Sequence, residues 1–268
     1  MKLKVLVDNN TYIRHYYYGE SGLSFYIEDD GKKILFDTGH SDLFIRNAKA
    51  FQIDLNEIDD IVISHGHDDH TNGLKHLFEQ FDLPDVRLTA HLNTFQEKRE
   101  NGESIGSPLR AEQLRSRAKL TLTEKPVSIT DNIVFLGGIP SLNDFEKRKS
   151  LGEVKQNDDF IEDFIFDDSA LAYKSDHGIY IITGCSHSGI CNIIEYSKQV
   201  CGDDRIAGVI GGFHLLEVDE RLEHVIDYFV KNNISELYPC HCVAFKVKAE
   251  IHKQLPVNEV GVSLGLEW

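Results

Sequence analysis

Apolar residues recur along the chain in short runs that end at turn residues, a pattern typical of buried β-strands. Such runs predict strands at Lys2–Val7, Gly22–Glu28, Lys32–Asp37, Ile58–Ser64, Val86–Ala90, Ile206–Ile210 and Glu236–Pro239. Apolar residues at helical spacing predict helices over Asp42–Phe51, Gly73–Phe81, Gly189–Val200 and Asp219–Asn232. Strands and helices alternate through most of the chain, which indicates an α/β fold.

The second half of the chain repeats the pattern of the first. Ser24–Ser41 predicts a strand, an Asp-Asp-Gly turn, a second strand and then Thr38-Gly39. Ala170–Ser188 predicts the same order, with Asp-His-Gly as the turn and Thr183-Gly184 after the second strand. Two matching hairpins indicate two similar sheets packed face to face. We therefore predict a four-layer αββα sandwich of two mixed β-sheets with helices on both outer faces.

Two long polar segments, residues 94–125 and 142–168, lack this regular pattern. Long irregular segments inside a compact domain are usually lids or binding loops, or else disordered. We expect a single domain over residues 1–268 in which both segments cover the site. The segment 94–125 is rich in lysine and arginine, so it either meets an anionic substrate or forms a solvated face.

The densest candidate chemistry is the run Ser64-His65-Gly66-His67-Asp68-Asp69-His70, directly after an apolar strand. His65 and His67 can converge on one metal ion, and Asp69 with His70 can face a second ion beside it. Neutral imidazole and carboxylate are ligands that hold zinc, manganese or iron in hydrolytic sites. Later strands also end near histidine, at His187, His214 and His241, and side chains at strand ends on one rim converge.

Composition narrows the classes of function. Hydrophobic residues make up 41% of the 268 residues, enough for a substantial core, and no apolar run is long enough to span a membrane. The chain leads from Met1 straight into a strand rather than a signal peptide, and its odd count of five cysteines favours reduced thiols. We expect a cytoplasmic protein. Because the net charge is −16, we do not expect the protein to bind nucleic acid or an anionic membrane over most of its surface.

Five motifs together resemble the metallo-β-lactamase fold superfamily. They are His65-x-His67-x-Asp69-His70, Phe36-Asp37-Thr38-Gly39, Thr183-Gly184-Cys185-Ser186-His187, Gly211-Gly212-Phe213-His214-Leu215 and Tyr238-Pro239-Cys240-His241-Cys242. The combination is similar to one subgroup, which includes an archaeal enzyme that makes a ribofuranosylaminobenzene-pterin phosphate. The resemblance covers nearly the whole chain.

The resemblance implies a ligand set. His65 and His67 would hold the first ion, Asp69 and His70 the second, and His241 matches the last histidine of the family pattern. The same resemblance implies two divalent ions, zinc above all, with iron or manganese as alternatives.

The sequence departs from the family pattern at two places. Cys185 stands where the family has a bridging aspartate, and the family's middle histidine is absent from Phe160–Asp168. We infer that His187 supplies the missing ligand, with Asp168 or His91 as the alternatives. Cys185 either bridges as a thiolate or only lines the pocket, and sulfur favours zinc or iron over magnesium.

These residues favour a metal-dependent hydrolase that cleaves a phosphodiester or another phosphorylated small molecule with a metal-bound hydroxide. Asp69 and His214 are the predicted catalytic residues, because His214 resembles the histidine that protonates the leaving oxygen in phosphodiesterase branches of the superfamily. One alternative is a metal-assisted condensing enzyme acting on a pterin and a phosphorylated ribosyl substrate. The other is a ligand sensor without catalysis. The expected partner is a small anionic substrate.

Overall fold

The computed structural model describes residues 1–268, and its largest sheet has seven strands. These are β1 (Lys2–Val7), β2 (Ser24–Asp29), β3 (Lys32–Phe36), β4 (Asp60–Val62), β5 (Arg87–Ala90), β8 (Lys119–Leu122) and β17 (Gly265–Glu267), in the order β17-β1-β2-β3-β4-β5-β8. The pairs from β17 to β3 are antiparallel, and those from β3 to β8 are parallel. The sheet is therefore mixed.

A second mixed sheet has six strands from the later part of the chain. These are β9 (Val127–Ser128), β10 (Ile133–Phe135), β13 (Ala170–Ser175), β14 (Gly178–Thr183), β15 (Ile206–Gly211) and β16 (Glu236–Pro239), in the order β16-β15-β14-β13-β10-β9. β13 and β14 pair antiparallel, and β14, β15 and β16 run parallel. The strands β2 to β5 pair in the same order, with one antiparallel pair followed by two parallel pairs. The predicted repeat of the hairpin is therefore confirmed.

Seven α-helices accompany the sheets. They are α1 (Leu43–Ala50), α2 (Asp68–Thr71), α3 (Gly73–Gln80), α4 (Ala111–Leu114), α5 (Ile190–Cys201), α6 (Glu220–Lys231) and α7 (Phe245–His252), and a short 3₁₀ turn covers Leu55–Glu57. The four predicted helices are present within one or two residues of their expected ends. The helices α2, α4 and α7 were not predicted. None of the helices is both long and apolar enough to cross a membrane.

Three apolar layers hold these elements together. The central layer lies between the sheets and includes Phe25, Phe36 and Ile182. Alternate residues of the same strands face outward, so Leu35 packs with α1 and α3 while Ile181 packs with α5 and α6. Because successive strand residues face opposite sides, each main sheet buries both of its faces. The predicted four-layer αββα sandwich is confirmed.

The two polar segments pair with each other in a small third sheet, which was not predicted. Its strands are β6 (Lys98–Glu100), β7 (Glu103–Ser104), β11 (Glu153–Gln156) and β12 (Asp159–Glu162), in the order β12-β11-β6-β7. The end of the first segment is also regular, because Lys119–Leu122 forms the edge strand β8 of the seven-stranded sheet. Both segments therefore contain more strand structure than their irregular sequence predicts.

Candidate metal centre

The candidate ligands lie on turns that follow strands of both main sheets. His65 and His67 come after β4, and α2 carries Asp69 and His70. The turns after β14, β15 and β16 carry the remainder, namely Cys185, His187, His214, His241 and Cys242. Strands that run parallel end on the same edge, so these side chains meet in one cleft between the two sheets.

Asp37 fixes the orientation of two of these imidazoles. Its Oδ2 atom accepts hydrogen bonds from Ser64 Oγ at 2.7 Å and from His70 Nδ1 at 2.7 Å. Because the Ser64 hydroxyl donates to Asp37, it can accept from His65 Nδ1, 3.0 Å away. In both rings the Nδ1 atom is then used, and Nε2 is directed toward another candidate ligand, His67 Nδ1 at 3.0 Å for His65 and Cys185 Sγ at 3.2 Å for His70. This arrangement is typical of histidines that bind a metal.

His241 is oriented in the same way by the two residues that directly follow β1. Its Nδ1 atom lies 3.0 Å from Asn9 Oδ1, and its backbone N–H donates to Asp8 Oδ1 at 2.9 Å. The Nε2 atom of His241 therefore points toward Asp69, whose Oδ2 lies 3.3 Å away, and toward His70 Nε2 at 3.2 Å. Residues next to the N-terminal strand thus place a ligand more than 230 residues later in the chain.

Backbone conformations around the cleft are strained. Asp37, Ser186, His214 and His241 all have positive φ angles, between 46° and 58°, although none of them is glycine. Such left-handed conformations cost free energy for residues with a Cβ atom and concentrate at functional sites. Each of the four lies just beyond a strand of one of the main sheets. The strained residues therefore lie on or beside the turns that carry the candidate ligands.

The donor atoms of these side chains form overlapping groups in which all atoms lie within 4.8 Å of one another. The groups are His65, Cys185 and His187; His70, Cys185 and His241; His65, His67 and Asp69; and Cys185, His214 and Cys242. The Sγ atom of Cys185 belongs to three of the four. The structure therefore brings together all seven predicted ligands, and it places His187 beside His65 and His67, with ring centroids 4.9 and 5.0 Å apart.

The chemistry of this donor set fits a metal ion. Most buried polar atoms in a folded protein have a hydrogen-bond partner. Here the Nε2 atoms of His67 and His187 and the Nδ1 atom of His214 are buried without one. Unpaired imidazole nitrogens that face carboxylate and thiol groups are satisfied by a divalent cation of intermediate softness.

The pKa values of His65, His67 and His187 favour the neutral imidazole, which is the form that binds a metal. Burial lowers the pKa of His65 and of His187 well below the usual value, and the neighbouring imidazoles lower it further. Burial also lowers the pKa of His67, to about 4. All three rings are therefore neutral near pH 7, and neutral imidazole is the form that donates a lone pair to a metal.

His70 and Asp69, by contrast, are charged. Burial lowers the pKa of His70, but the carboxylates of Asp69 and Asp37 outweigh it and raise that pKa to about 9. Burial raises the pKa of Asp69, yet the charge of His70 and the hydrogen bond with His241 bring it well below the ordinary value. Asp69 therefore remains ionised, and a metal at His70 would displace a proton.

The cleft has a volume of about 470 Å³. Its lining contains the imidazoles of His40, His67, His187, His214 and His241, the thiols of Cys185 and Cys242, and the carboxylates of Glu20, Asp68, Asp69 and Glu100. No lysine or arginine lines it. The segment 94–125 reaches this cleft through Glu100 and Ile105, but its lysines and arginines do not line it. Lys98 pairs with Asp163 and Asp167, and Arg99 with Glu153.

The two alternative ligands for the first ion, His91 and Asp168, lie outside the donor groups. His91 is buried at the end of β5, where its Nε2 atom is 3.8 Å from Glu124. Asp168 accepts hydrogen bonds from the backbone N–H and hydroxyl of Ser188.

Four residues that shape the site were not predicted: Asp37, Asn9, Asp167 and Cys242. Only Asp37 and Cys242 stand within the family motifs given above. Asp167 acts by accepting a hydrogen bond from the Gly66 N–H at 2.7 Å.

Two mixed sheets, packed face to face with a histidine-rich cleft at their shared edge, define an αββα protein of the metal-binding type. The chain belongs to the metallo-beta-lactamase superfamily, whose sequence model matches residues 17–198. Proteins with this fold typically bind metal ions, and most members of the superfamily are hydrolases that act on small molecules.

Individual relatives cover almost the whole chain. An uncharacterised protein of Methanocaldococcus jannaschii is 36% identical over 98% of this chain and all of its own length. The 7,8-dihydropterin-6-methyl-4-(β-D-ribofuranosyl)-aminobenzene-5′-phosphate synthase of the same organism is 28% identical, over 92% of this chain and 89% of its own length. The solved structure of Tm1679, described as a metal-dependent hydrolase of the β-lactamase superfamily, is 28% identical. It covers all of this chain and 99% of its own, with a TM-score of 0.84.

Proposed function

We propose that the protein is a metal-dependent hydrolase that cleaves a phosphodiester or another phosphorylated small molecule. The observation that carries the proposal is the convergence of unpaired imidazole nitrogens with Asp69 and Cys185 in one water-accessible cleft. Two bound divalent ions, zinc above all, would lower the pKa of water toward neutrality and stabilise negative charge on a phosphoryl oxygen.

The protein's own residues have distinct roles in this proposal. His65, His67 and His187 would hold the first ion, and Asp69, His70 and His241 would hold the second. Cys185 belongs to a donor group on each side, so its sulfur would be available to either ion. The ring orientations set by Asp37 and Asn9 keep the Nε2 atoms of His65, His70 and His241 directed toward other candidate ligands. Preorganised ligands of this kind need no rearrangement during the reaction.

His214 and Asp69 handle protons. His214 lines the cleft, packs against His187 with ring centroids 4.4 Å apart, and has an unpaired Nδ1 atom. We assign it the donation of a proton to the leaving oxygen. Asp69 remains ionised, so its carboxylate can accept a hydrogen bond from the attacking water. Because no lysine or arginine lines the cleft, phosphate binding depends on the ions and the histidines.

A second function is favoured by the synthase relative, which aligns with 92% of this chain. In this alternative the protein condenses a pterin with a phosphorylated ribosyl substrate. The same ligands would then orient the phosphorylated group, and water would be excluded rather than activated.

One experiment separates these functions. Protein purified without added metal is analysed for bound ions and then incubated with a panel of phosphodiesters and phosphomonoesters. Hydrolysis that is lost on chelation and restored by zinc supports the first proposal. Release of pyrophosphate only when a pterin co-substrate is present supports the second. Bound metal with tight ligand binding and no turnover in either assay overturns both and indicates a sensor.

A further inference from the structure

A sulfur-rich group of donors lies at one side of the candidate metal centre. The donor atoms of Cys185, His214 and Cys242 are all within 4.8 Å of one another. Neither Cys242 nor His214 belongs to the groups formed by the other histidines, and only Cys185 is shared with them. Two donors of this group are therefore not needed to complete the two ion sites proposed above.

The backbone is shaped to bring these donors together. Cys242 Sγ lies 3.6 Å from the carbonyl oxygen of Cys185. A Cβ atom at Gly212 would come within 2.5 Å of that sulfur and within 3.3 Å of the Cys185 Cα atom. Glycine at this position therefore leaves the space in which the turns after β14 and β16 approach each other. The same turn continues into His214, whose φ angle is 46°.

An independent observation concerns His214 itself. Its Nδ1 atom is buried without any hydrogen-bond partner, although the neighbouring side chains offer two thiols. Leaving a buried nitrogen unpaired is unfavourable, because nothing replaces the hydrogen bond it makes with water. Cys242 and His214 are nevertheless open to the cleft, so an ion can enter from solvent. The atom is placed to receive a ligand rather than to pack.

Two cysteines and one histidine form a known three-ligand set for zinc, with a fourth position left for water. Thiolate sulfur also favours the softer divalent cations. We propose that Cys242, His214 and the shared Cys185 bind a further soft divalent cation, such as excess Zn²⁺ or Cd²⁺. This cation is inhibitory, because it occupies the His214 nitrogen that would otherwise be free for proton transfer. The inhibition, but not the binding, rests on the proposed function.

Equilibrium dialysis against Cd²⁺ tests the binding in the full-length protein under reducing conditions. The bound Cd²⁺ per chain is measured together with the ultraviolet thiolate-to-cadmium absorption band. We expect Cys242→Ser to bind one equivalent of Cd²⁺ fewer than the wild type, or to bind that equivalent at least about 10-fold more weakly. Ten-fold is the smallest usual effect of replacing a residue that only hydrogen-bonds to a metal ligand, and a ligand itself should matter at least as much. The absorption band should weaken in parallel.

Cys201→Ser is the matched control, because Cys201 lies at the end of α5 and belongs to none of the donor groups. It should bind as many Cd²⁺ ions as the wild type. Should Cys242→Ser fail to fold, His214→Gln removes the same equivalent and leaves all thiols in place. Equal Cd²⁺ binding and an equal band in the wild type and in the folded variant would overturn the proposal.

The inhibition is measured separately, by titrating Zn²⁺ into the active protein with a phosphodiester substrate. Activity should fall at excess Zn²⁺ in the wild type and in Cys201→Ser, and this fall should be absent in Cys242→Ser. A wild type with no phosphoesterase activity but with the Cys242-dependent Cd²⁺ equivalent would reject the proposed function and retain the cation site. Activity that falls equally in all three proteins would reject the inhibitory role.

Discussion

Asp37 shows how one residue can organise several ligands without binding an ion. Its Oδ2 atom accepts from Ser64 Oγ and His70 Nδ1, while its Oδ1 atom accepts from the Ser64 N–H. The sequence showed Asp37 only as part of the Asp-Thr-Gly turn. Its partners stand 27 and 33 residues further along the chain, so no local pattern could reveal this role.

Removal of a central ligand should abolish function but not folding. His65→Ala and Asp69→Ala are expected to lose turnover and bound metal, because each side chain belongs to the donor group of His65, His67 and Asp69. The sheets are held by apolar burial away from these turns. Metal analysis, a phosphoester assay and circular dichroism check this. His76→Ala, on the surface of α3, is the control, and full activity with normal metal in either ligand variant would refute the assignment.

His187 and Cys185 can be distinguished by substitution. His187→Ala should lower metal affinity by at least about 10–100-fold. That is the usual range for replacing a residue that only hydrogen-bonds to a metal ligand, and loss of a ligand should cost at least as much. Cys185→Asp should retain metal, since it restores the carboxylate of the family pattern. Isothermal titration with Zn²⁺ measures both. Unchanged affinity in His187→Ala would show that another group, such as Asp168, completes the first site.

His214 is expected to act on the leaving group. His214→Ala should lose about 10²–10⁴-fold in kcat, the usual contribution of a general acid. The loss should shrink with a nitrophenolate ester, whose leaving group needs no proton, and the two proposed ions should remain bound. Steady-state kinetics with esters of good and poor leaving groups measures this, with His224→Ala as the control. Equal losses for both kinds of ester would exclude proton donation.

At the scale of elements, the small third sheet is tied to the metal-binding turn by a buried ion pair. Lys98 on β6 is 1% exposed, and its Nζ atom donates to Asp163 at 2.6 Å and to Asp167 at 2.8 Å. Asp167 in turn accepts from Gly66, between His65 and His67. The charge of Lys98 thus supports the turn from behind rather than facing the substrate.

Breaking this pair should be costly. Lys98→Met leaves two buried carboxylates without their cation, and such a loss destabilises a protein by about 3–5 kcal/mol. Lys119→Met is the matched control, because its partner Asp85 is largely exposed and surface pairs contribute about 0–1 kcal/mol. Urea denaturation gives both free energies of unfolding. Equal effects of the two substitutions would show that the buried pair has no special role.

The sequence predicted the elements whose apolar pattern is strong and local. The hairpins β2-β3 and β13-β14 and the helices α5 and α6 follow directly from periodicity and turn residues. The third sheet could not be predicted in this way. Its strands β6 and β11 are short and polar, and they pair Val154 with Lys98, residues far apart in sequence. Lys98 has the composition of a surface residue, and only tertiary pairing explains its burial.

The site was predictable to a similar extent. Histidines that follow apolar strands identified the candidate ligands, because strand ends on one edge must converge. Cys242 is not among the predicted ligands, although it stands next to His241 in the motif Tyr238–Cys242. Its grouping with His214 depends on how closely the turns after β15 and β16 approach, and the sequence does not contain that distance. Asn9 and Asp167 were overlooked for the same reason.

At the scale of the whole molecule, bound ions should stabilise the association of the two sheets. His65, His67, Asp69 and His70 follow the first sheet, whereas Cys185, His187 and His241 follow the second. A ligand at about 100 times its Kd raises the free energy of unfolding by about 2.7 kcal/mol. Chelation should therefore lower Tm by several degrees, at about 2–4 °C per kcal/mol for a domain of this size.

Thermal unfolding with and without a chelator tests this coupling. His76→Ala should show the same shift as the wild type, and His65→Ala should show little or none. A shift of the wild-type size in His65→Ala would mean that the stabilising ion binds elsewhere.

The position of Cys185 in three donor groups has a consequence for the conditions under which the protein can work. A carboxylate in that place would be indifferent to oxidants, whereas a cysteine near a second thiol can be oxidised to a sulfenic acid or a disulfide. Oxidation would remove the one donor common to both proposed ion sites and weaken both together. If the proposed sites are correct, metal loading would depend on redox state, and an air-aged sample should lose its ions in step with its free thiols.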